Sequence, residues 1–278
     1  MSNSKVTTLR LKEMKQQKEK ITVLTCYDYS TAKLLDKAGI DVLLVGDSLG
    51  MVLLGYDSTI PVTMEDMIRH TKAVSRGTKN AMLVGDMPFM SYQISTGESV
   101  RNAGRFLQEA GANAVKLEGG REIAGTIQAI NAAGIPVMGH LGLTPQSVNK
   151  LGGYRVQGKD EAAARIILNN ALALQDAGVF AIVLECVPAP LAKMVSERLD
   201  VPIIGIGAGV DCDGQVLVIH DLLGLYSGIS PKMAKQYASL HENIAEAVGK
   251  YKEDVRQGVF PGPEHSFGME KDVIGKLY

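Results

Sequence analysis

Charged side chains interrupt the apolar stretches of this sequence at corresponding places. LLVGDSLG at 43–50 passes from apolar residues to Asp47 and Ser48, and LVGDMP at 83–88 repeats the pattern with Asp86. A strand that is buried in a parallel sheet normally reads as a continuous apolar run. The carboxylates therefore indicate strand ends at which polar groups gather.

Other apolar runs carry polar groups near their ends as well. AVKLEG at 114–119 contains Lys116 and Glu118, while later runs contain His140 and Glu185. Because side chains alternate between the two faces of a strand, Lys116 and Glu118 are expected to share one face. The same alternation predicts shared faces for three further pairs, namely Val45 with Asp47, Val84 with Asp86, and Val183 with Glu185.

Together these positions predict four carboxylates, Asp47, Asp86, Glu118 and Glu185, close to a single lysine, Lys116. Repulsion among so many carboxylates is unfavourable in a small cleft that lacks a cation. Oxygen ligands of this kind favour Mg²⁺, which binds through one or two carboxylates, waters and substrate oxygens. The pattern thus indicates a metal-assisted enzyme that acts on an oxygen-rich substrate.

Simpler interpretations remain open for each residue taken alone. Asp47 or Asp86 can cap the helix that follows a strand. Lys116 and Glu118 can form a structural ion pair, although a buried ion pair is costly to desolvate and contributes little net stability. His140 can be a hydrogen-bonded structural group.

The elements that would position these residues follow a repeated plan. A helical pattern ends in Ala-Gly at 38–39, 110–111, 133–134 and 177–178, and an apolar run follows each time. Glycine just beyond a helix supplies the left-handed conformation of a C-cap. Eight runs are strand candidates: 21–26, 41–47, 81–86, 114–119, 136–141, 181–186, 202–208 and 215–221.

Alternating strands and helices predict a parallel sheet, and eight strands predict a (β/α)₈ barrel. The competing fold is a doubly wound open sheet, but the first strand lacks a nucleotide-binding signature. GIGAG at 205–209 comes late, opens no helix, and is better explained as a tight turn near the barrel mouth. We predict a single domain over residues 1–278, with an N-terminal helical extension (1–20), a long C-terminal helix over 232–257 and a tail (258–278).

The composition fits this fold and excludes several classes of protein. The 278 residues are 46% hydrophobic and 21% charged, with a formal net charge of −1. No basic block suggests nucleic acid, and no apolar run approaches the roughly 20 residues that span a bilayer. Three distant cysteines and the absence of a signal-like N-terminus favour a reduced, cytoplasmic setting. We therefore expect a soluble enzyme with neither nucleic-acid nor membrane partners.

Several long motifs together resemble the ketopantoate hydroxymethyltransferases. They occur in one order along nearly the whole chain: LLVGDSLGMVLLGYDST, LVGDMPFMSYQ, AVKLEGG, PVMGHLGLTPQSV, VLECVP, IGIGAGVDCDGQVLVIHDLLG and FPGPEHSF. The resemblance implies a barrel of the phosphoenolpyruvate/pyruvate superfamily that requires Mg²⁺. It implies transfer of a one-carbon unit from 5,10-methylenetetrahydrofolate to 3-methyl-2-oxobutanoate, giving 2-dehydropantoate through a Mg²⁺-stabilised enolate, in pantothenate biosynthesis. It also implies a homodecamer.

The resemblance assigns roles to the same residues. By motif, Asp47 and Asp86 match metal-binding aspartates that also contact substrate, and Glu118 matches a further carboxylate of the metal site. Ser48 and Lys116 match substrate contacts, and Glu185 matches the proton acceptor. We add His140 as a candidate that contacts the metal ligands without binding the metal itself.

Two other functions compete with this interpretation. A Mg²⁺-dependent lyase or mutase of the same superfamily, which cleaves C–C or P–C bonds, would also chelate an α-keto acid. Such lyases often carry a mobile loop with a KxCG-type motif, and this sequence lacks that motif. A barrel that serves only in binding or assembly would be expected to lack the rim carboxylates.

Overall fold

A closed barrel of eight parallel strands forms the centre of the computed structural model, which describes residues 5–226 and 231–276. The strands pair in sequence order, and β1 pairs with β8 to complete the closure. This confirms the predicted (β/α)₈ barrel. The strands are β1 (Ile21–Thr25), β2 (Val42–Val45), β3 (Met82–Asp86), β4 (Ala114–Glu118), β5 (Val137–Gly142), β6 (Ala181–Glu185), β7 (Ile203–Ile206) and β8 (Gly214–Leu217).

Helices lie between most of the strands, as the repeated pattern predicted. In the described residues they are α1 (Thr8–Gln16), α2 (Tyr29–Lys37), α3 (Leu49–Val52), α4 (Met64–Gly77), α5 (Thr96–Gln108), α6 (Ala124–Ala132), α7 (Val148–Leu151), α8 (Glu161–Asp176), α9 (Ala189–Arg198), α10 (Ile219–Leu223), α11 (Leu240–Gln257) and α12 (Lys271–Ile274). Short 3₁₀ turns occur at Arg121–Ile123, Pro145–Ser147 and Pro263–His265.

Local sequence signals set the ends of these helices. Side chains of N-cap residues accept hydrogen bonds from backbone amides at the starts of α1, α2, α4, α5 and α8, the caps being Thr7, Asp28, Thr63, Ser95 and Asp160. The glycines of the four Ala-Gly pairs all have positive φ, as C-caps require: Gly39, Gly111, Gly134 and Gly178. The repeat in the sequence is therefore a repeat of helix terminations.

The interior of the barrel is a single apolar cluster to which every strand contributes. Alternate residues supply it, such as Val42 and Leu44 of β2 and Met82 and Val84 of β3. The intervening residues, such as Leu43, are buried on the outer face, toward the surrounding layer. The strand pattern is therefore apolar on both faces, and the interior face is the one that continues to the site residues of β3, β4, β5 and β6.

Helix α1 fills the amino-terminal end of this interior. Leu11 and Met14 are 1% and 2% exposed and belong to the interior cluster. Lys15 Nζ donates to Asp213 Oδ2 at 2.7 Å, and the same oxygen accepts from the backbone amide of Ile203 at 2.8 Å. The predicted N-terminal helix thus acts as the floor of the barrel.

The chain after β7 departs from the predicted pattern. β8 ends at Leu217, four residues before the predicted end, so His220 and Asp221 belong to α10 and do not extend the strand. The connection from β7 to β8 contains no helix; Gly207 and Gly209 have positive φ there, which supports the tight-turn interpretation of GIGAG. The C-terminal helix begins at 240, later than predicted, and the tail includes the short α12.

The described chain divides into two compact units. The first contains residues 5–219 and 231–235 and includes all eight strands, while the second contains residues 220–226 and 236–276. The single-domain boundary of 1–278 stays a prediction. No helix in the described part of the chain has the length and apolar character needed to cross a membrane.

Packing of the outer face of β3 yields a test of the fold. A Cβ atom added to Gly85 would lie 2.3 Å from Cδ1 of Phe106 on α5, whereas one added to Gly104 of the same helix would meet nothing within 4 Å. We expect Gly85→Ala to lower the free energy of unfolding by about 1–3 kcal/mol through overpacking. The control Gly104→Ala should raise it by about 0.5–1 kcal/mol, because alanine favours a helix interior. Denaturation followed by circular dichroism measures both, and equal stabilities would contradict the packing argument.

Candidate active site

Strand register brings the charged residues of β3, β4 and β5 side by side. Asp86 pairs with Lys116, and Glu118 pairs with His140. Glu185 is the last residue of β6. These ends lie at the carboxyl-terminal mouth of the barrel, where the catalytic groups of this fold gather. The structure therefore places all five residues in one neighbourhood, as the strand-end pattern predicted.

Asp47 joins them by a different route. β2 ends at Val45, and the interior positions of that strand are Val42 and Leu44, so the predicted shared face of Val45 and Asp47 was wrong. Asp47 lies in the turn that follows the strand. Its backbone amide donates to Asp86 Oδ2 at 3.2 Å, which ties the two aspartates together.

Neither aspartate caps a helix. The N-cap of α3 is Ser48, and it makes no side-chain capping bond. The N-cap of α5, the next helix after Asp86, is Ser95. Asp47 and Asp86 are instead 4% and 1% exposed within the mouth. The capping interpretation of both residues was therefore wrong.

Lys116 forms the centre of the cluster. Its Nζ lies 2.8 Å from Asp86 Oδ1, 3.9 Å from Glu118 Oε1 and 3.1 Å from His140 Nδ1. Burial alone would lower the pKa of Lys116, but the Asp86, Glu118 and Asp47 carboxylates outweigh it and raise that pKa. Lys116 is therefore a permanent cation held among carboxylates.

His140 joins the central lysine to the outer carboxylate. Its Nε2 lies 3.2 Å from Glu185 Oε2, and its Nδ1 lies 3.4 Å from Glu118 Oε1. Burial and the Lys116 charge act to lower the pKa of His140, but contacts with Glu118 and Glu185 raise it to about 9. The imidazole therefore lies in electrostatic contact with the Glu185 carboxylate, although Nε2 makes no hydrogen bond of standard geometry.

The carboxylates differ in their electrostatic surroundings. Burial, together with the Asp86 and Glu118 charges, raises the pKa of Asp47 well above its ordinary value, and burial also raises that of Asp86 despite the opposing effect of Lys116. Burial would raise the pKa of Glu118 too, but His140 and Lys116 lower it. The charged forms of the two aspartates are therefore disfavoured in the protein alone, although Asp86 is paired with Lys116, and a bound cation would favour them.

Ser48 lies beside this pair and is held by a residue that the sequence did not single out. The Tyr27 hydroxyl and Ser48 Oγ are 2.8 Å apart and share a hydrogen bond. Tyr27 is 2% exposed. A hydroxyl that is fixed in this way is suited to contact an oxygen-rich ligand at the mouth.

Gln146 is the principal site residue that sequence reasoning missed. Its side-chain Nε2 donates to Asp47 Oδ2 at 2.8 Å, and its backbone amide donates to Glu118 Oε2 at 3.1 Å. Tyr92 in turn donates to Gln146 Oε1 at 2.7 Å. The motif PVMGHLGLTPQSV contains Gln146, but an uncharged residue in a loop, 99 positions from Asp47, gives no strand-end signal.

The donor set fits a divalent cation that is held by few protein ligands. Among residues 5–226 and 231–276, no group of three or more His, Cys, Asp or Glu side chains is arranged to hold a metal ion by itself. Mg²⁺ usually takes only one or two carboxylates and completes its shell with waters and substrate oxygens. Asp86 Oδ1 and Glu118 Oε1 are buried without a hydrogen bond of standard geometry. Asp47 and Asp86 therefore suit such an ion, with Glu118 behind them.

Sequence comparison identifies the family. Residues 5–263 match the family model for ketopantoate hydroxymethyltransferase. The chain is 61% identical over 263 residues to the 3-methyl-2-oxobutanoate hydroxymethyltransferase of Syntrophus aciditrophicus, covering 95% of this chain and 97% of that protein. It is 58% identical over 274 residues to the enzyme of the same name from Enterococcus faecalis, covering 99% and 100% of the two chains.

Comparison of structures finds the same barrel in distant proteins. A phosphonopyruvate hydrolase matches with a TM-score of 0.62 at 14% identity, over 98% of this chain and 95% of that one. A 2,3-dimethylmalate lyase, a member of the PEP mutase/isocitrate lyase superfamily, matches with a TM-score of 0.59 at 16% identity, over 97% and 93%. These structural likenesses establish the fold, and the sequence matches establish the family and the type of enzyme. The chain belongs to the ketopantoate hydroxymethyltransferase family and is an enzyme of that type.

Proposed function

We propose that this enzyme transfers a hydroxymethyl group from 5,10-methylenetetrahydrofolate to 3-methyl-2-oxobutanoate, giving 2-dehydropantoate for pantothenate synthesis. Two relatives at 58% and 61% identity carry the corresponding enzyme name over nearly their whole length. The observation that carries the proposal is the convergence of Asp47, Asp86, Lys116, His140 and Glu185 at one barrel mouth.

Asp47 and Asp86 would hold Mg²⁺, with Glu118 as a further carboxylate of that site. When bound, the ion supplies a Lewis acid that draws electron density from the keto group of the substrate. Gathering two buried carboxylates is unfavourable for the empty protein, as the raised pKa values of both aspartates show. The same charge favours binding of a cation.

Lys116 and Ser48 would bind the anionic ketoacid. Lys116 is charged and 3% exposed, so its interaction with a substrate oxygen would be little screened by water. Its ion pair with Asp86 fixes the ammonium group beside the proposed metal position. Ser48, whose Oγ is held by Tyr27, offers a neutral hydroxyl on the neighbouring side.

Glu185 would remove the proton from C3 of the substrate. Its side chain is 13% exposed, compared with 2% for those of Asp86 and Glu118, so it lies nearer the opening. Its charged partner among the described residues is His140, and no described hydrogen bond joins its side chain to either aspartate, so its carboxylate is available as a base. The proton would move from C3 to a Glu185 carboxylate oxygen, and the resulting enolate carbon would form a C–C bond to the methylene carbon of the folate. In the overall reaction both C–N bonds of that methylene carbon break, water supplies the hydroxyl group, and tetrahydrofolate is released.

The alternative function, a Mg²⁺-dependent lyase or mutase, has weaker support. The solved structures that carry such names share only 14–16% identity with this chain, whereas its named transferase relatives share 56–61%. A fold of this kind hosts many chemistries. The residues of the mouth and the family assignment together favour one-carbon transfer.

The proposal also covers the cellular location and the oligomeric state of the enzyme. We propose a cytoplasmic homodecamer with no nucleic-acid or membrane partner, as the family resemblance and the composition suggest. Size-exclusion chromatography with light scattering tests the assembly, and a mass other than that of ten chains would contradict it.

The base can be tested without folate. The wild-type enzyme with Mg²⁺ should exchange the C3 hydrogen of 3-methyl-2-oxobutanoate for deuterium in D₂O, as followed by proton NMR. Glu185→Gln should lower this rate by roughly 10²–10⁴-fold, because general-base catalysis typically contributes that much. Binding of the ketoacid should persist.

Glu197→Gln, on the exposed surface of α9, is the matched control and should exchange normally. If Glu185→Gln exchanges the C3 hydrogen as fast as the wild-type enzyme does, Glu185 is excluded as the base. Absence of exchange in the folded wild-type enzyme would contradict the proposed mechanism itself.

The metal ligands can be tested by removing one charge. Asp47→Asn keeps an acceptor for Gln146 but removes the carboxylate, so Mg²⁺-dependent binding of the ketoacid should weaken roughly tenfold or more, which is at least about 1.4 kcal/mol. Isothermal titration calorimetry with and without Mg²⁺ measures this change. Asp57→Asn, exposed in the same β2–α4 connection, should leave it unaltered. An unchanged Mg²⁺ dependence in Asp47→Asn would refute the assignment.

A further inference from the structure

Gln146 makes four contacts that converge on the carboxylate cluster. It lies in the 3₁₀ turn Pro145–Ser147 after β5 and is 4% exposed. Its Nε2 donates to Asp47 Oδ2 at 2.8 Å and to the carbonyl oxygen of Met87 at 3.0 Å. Its backbone amide donates to Glu118 Oε2 at 3.1 Å, and its Oε1 accepts from Tyr92. Every hydrogen of both amide groups is therefore used.

Tyr92 determines which way the Gln146 amide faces. The Tyr92 hydroxyl is 2.7 Å from Gln146 Oε1, and it also accepts from the Glu118 backbone amide at 3.2 Å. That hydroxyl has one hydrogen and two acceptors within reach, the Glu118 carbonyl oxygen at 3.1 Å and Gln146 Oε1 at 2.7 Å, and the shorter contact is the one to Oε1. The amide nitrogen must then face Asp47 and Met87, which are both acceptors.

Asp47 needs such a support more than the other carboxylates do. Asp86 has the Lys116 ammonium at 2.8 Å, and Glu118 has His140 at 3.4 Å, but among the described residues no salt bridge joins Asp47 to a cationic side chain. Repulsion from Asp86 and Glu118 acts on the Asp47 side chain. The Gln146 side chain, a neutral donor, donates a hydrogen bond to the Asp47 carboxylate at Oδ2.

We infer that Gln146 is a positioning residue that holds the Asp47 carboxylate in the orientation required for a divalent cation. The inference rests on the proposed function, which makes Asp47 a metal ligand. By binding Oδ2, Gln146 fixes the rotation of the carboxylate and leaves Oδ1 for the ion. By binding Glu118 through its backbone, it also sets the distance between the loop after β5 and the end of β4. Partners behind metal ligands typically contribute about 10–100-fold to metal affinity or activity.

The test measures metal binding rather than catalysis. Mn²⁺ replaces Mg²⁺ as the probe, and electron paramagnetic resonance follows the free ion in the presence of 3-methyl-2-oxobutanoate. Gln146→Met removes both side-chain donors and conserves much of the volume. We expect Mn²⁺ affinity to fall by about 10–100-fold while circular dichroism remains that of the wild type.

Gln175→Met is the matched control. Gln175 Oε1 accepts from the backbone amide of Asp200 at 2.7 Å, before β7 begins and therefore at the opposite end of the barrel. This variant also loses a hydrogen bond of a glutamine side chain, in this case one that Oε1 accepts, so it should lower stability without altering Mn²⁺ affinity. A structural role for Gln146 alone would make the two variants behave alike.

The outcomes separate the two proposals. If the wild-type protein binds no Mn²⁺ with the ketoacid, the proposed metal site fails and the inference fails with it. If the wild type binds Mn²⁺ and a folded Gln146→Met binds it equally well, the inference alone is overturned. Should Gln146→Met not fold, Tyr92→Phe decides, because it releases the Gln146 amide; weaker Mn²⁺ binding supports the inference and unchanged binding overturns it.

Discussion

The buried ion pair between Lys116 and Asp86, 2.8 Å apart, is the interaction on which the mouth of the barrel depends. Both side chains are almost completely removed from water, and an unpaired charge in such a place would cost several kcal/mol. The pair is formed by neighbouring residues of β3 and β4, so the hydrogen bonds of the barrel maintain it. A rigid frame thus keeps one cation where three carboxylates approach it.

The remaining residues of the mouth contact the carboxylates that this ion pair does not neutralise. His140 lies between Glu118 and Glu185, and Gln146 reaches from the loop after β5 to Asp47. The result is a gradient from a crowded, buried group of aspartates to a more exposed glutamate. The proposed metal site and the proposed base require these two different environments, and the mouth of the barrel supplies both.

Much of this arrangement could be predicted from sequence because it follows from periodicity. The Ala-Gly terminations mark the helix ends, and alternation along β4 places Lys116 and Glu118 on the interior face. Asp47 was assigned to the right place for the wrong reason, since β2 ends two residues earlier and a turn delivers its side chain. Gln146 was missed, because its role depends on contacts between loops distant in sequence. The lack of a helix between β7 and β8 was readable from the sequence, because GIGAG and the residues after it open no helical pattern.

Helix α1 affects the order in which small molecules can enter and leave the barrel. Leu11 and Met14 fill the amino-terminal end of the barrel, so in the described part of the chain the carboxylates face the opposite end, the mouth. Under the proposed reaction, two substrates would then share that opening, and a ketoacid bound at the buried carboxylates would lie deeper than a folate that approaches it. A folate already in place would obstruct the ketoacid, and the hydroxymethylated product could depart only after the folate. A barrel closed at its floor therefore favours a compulsory order of addition and release, enforced by access alone.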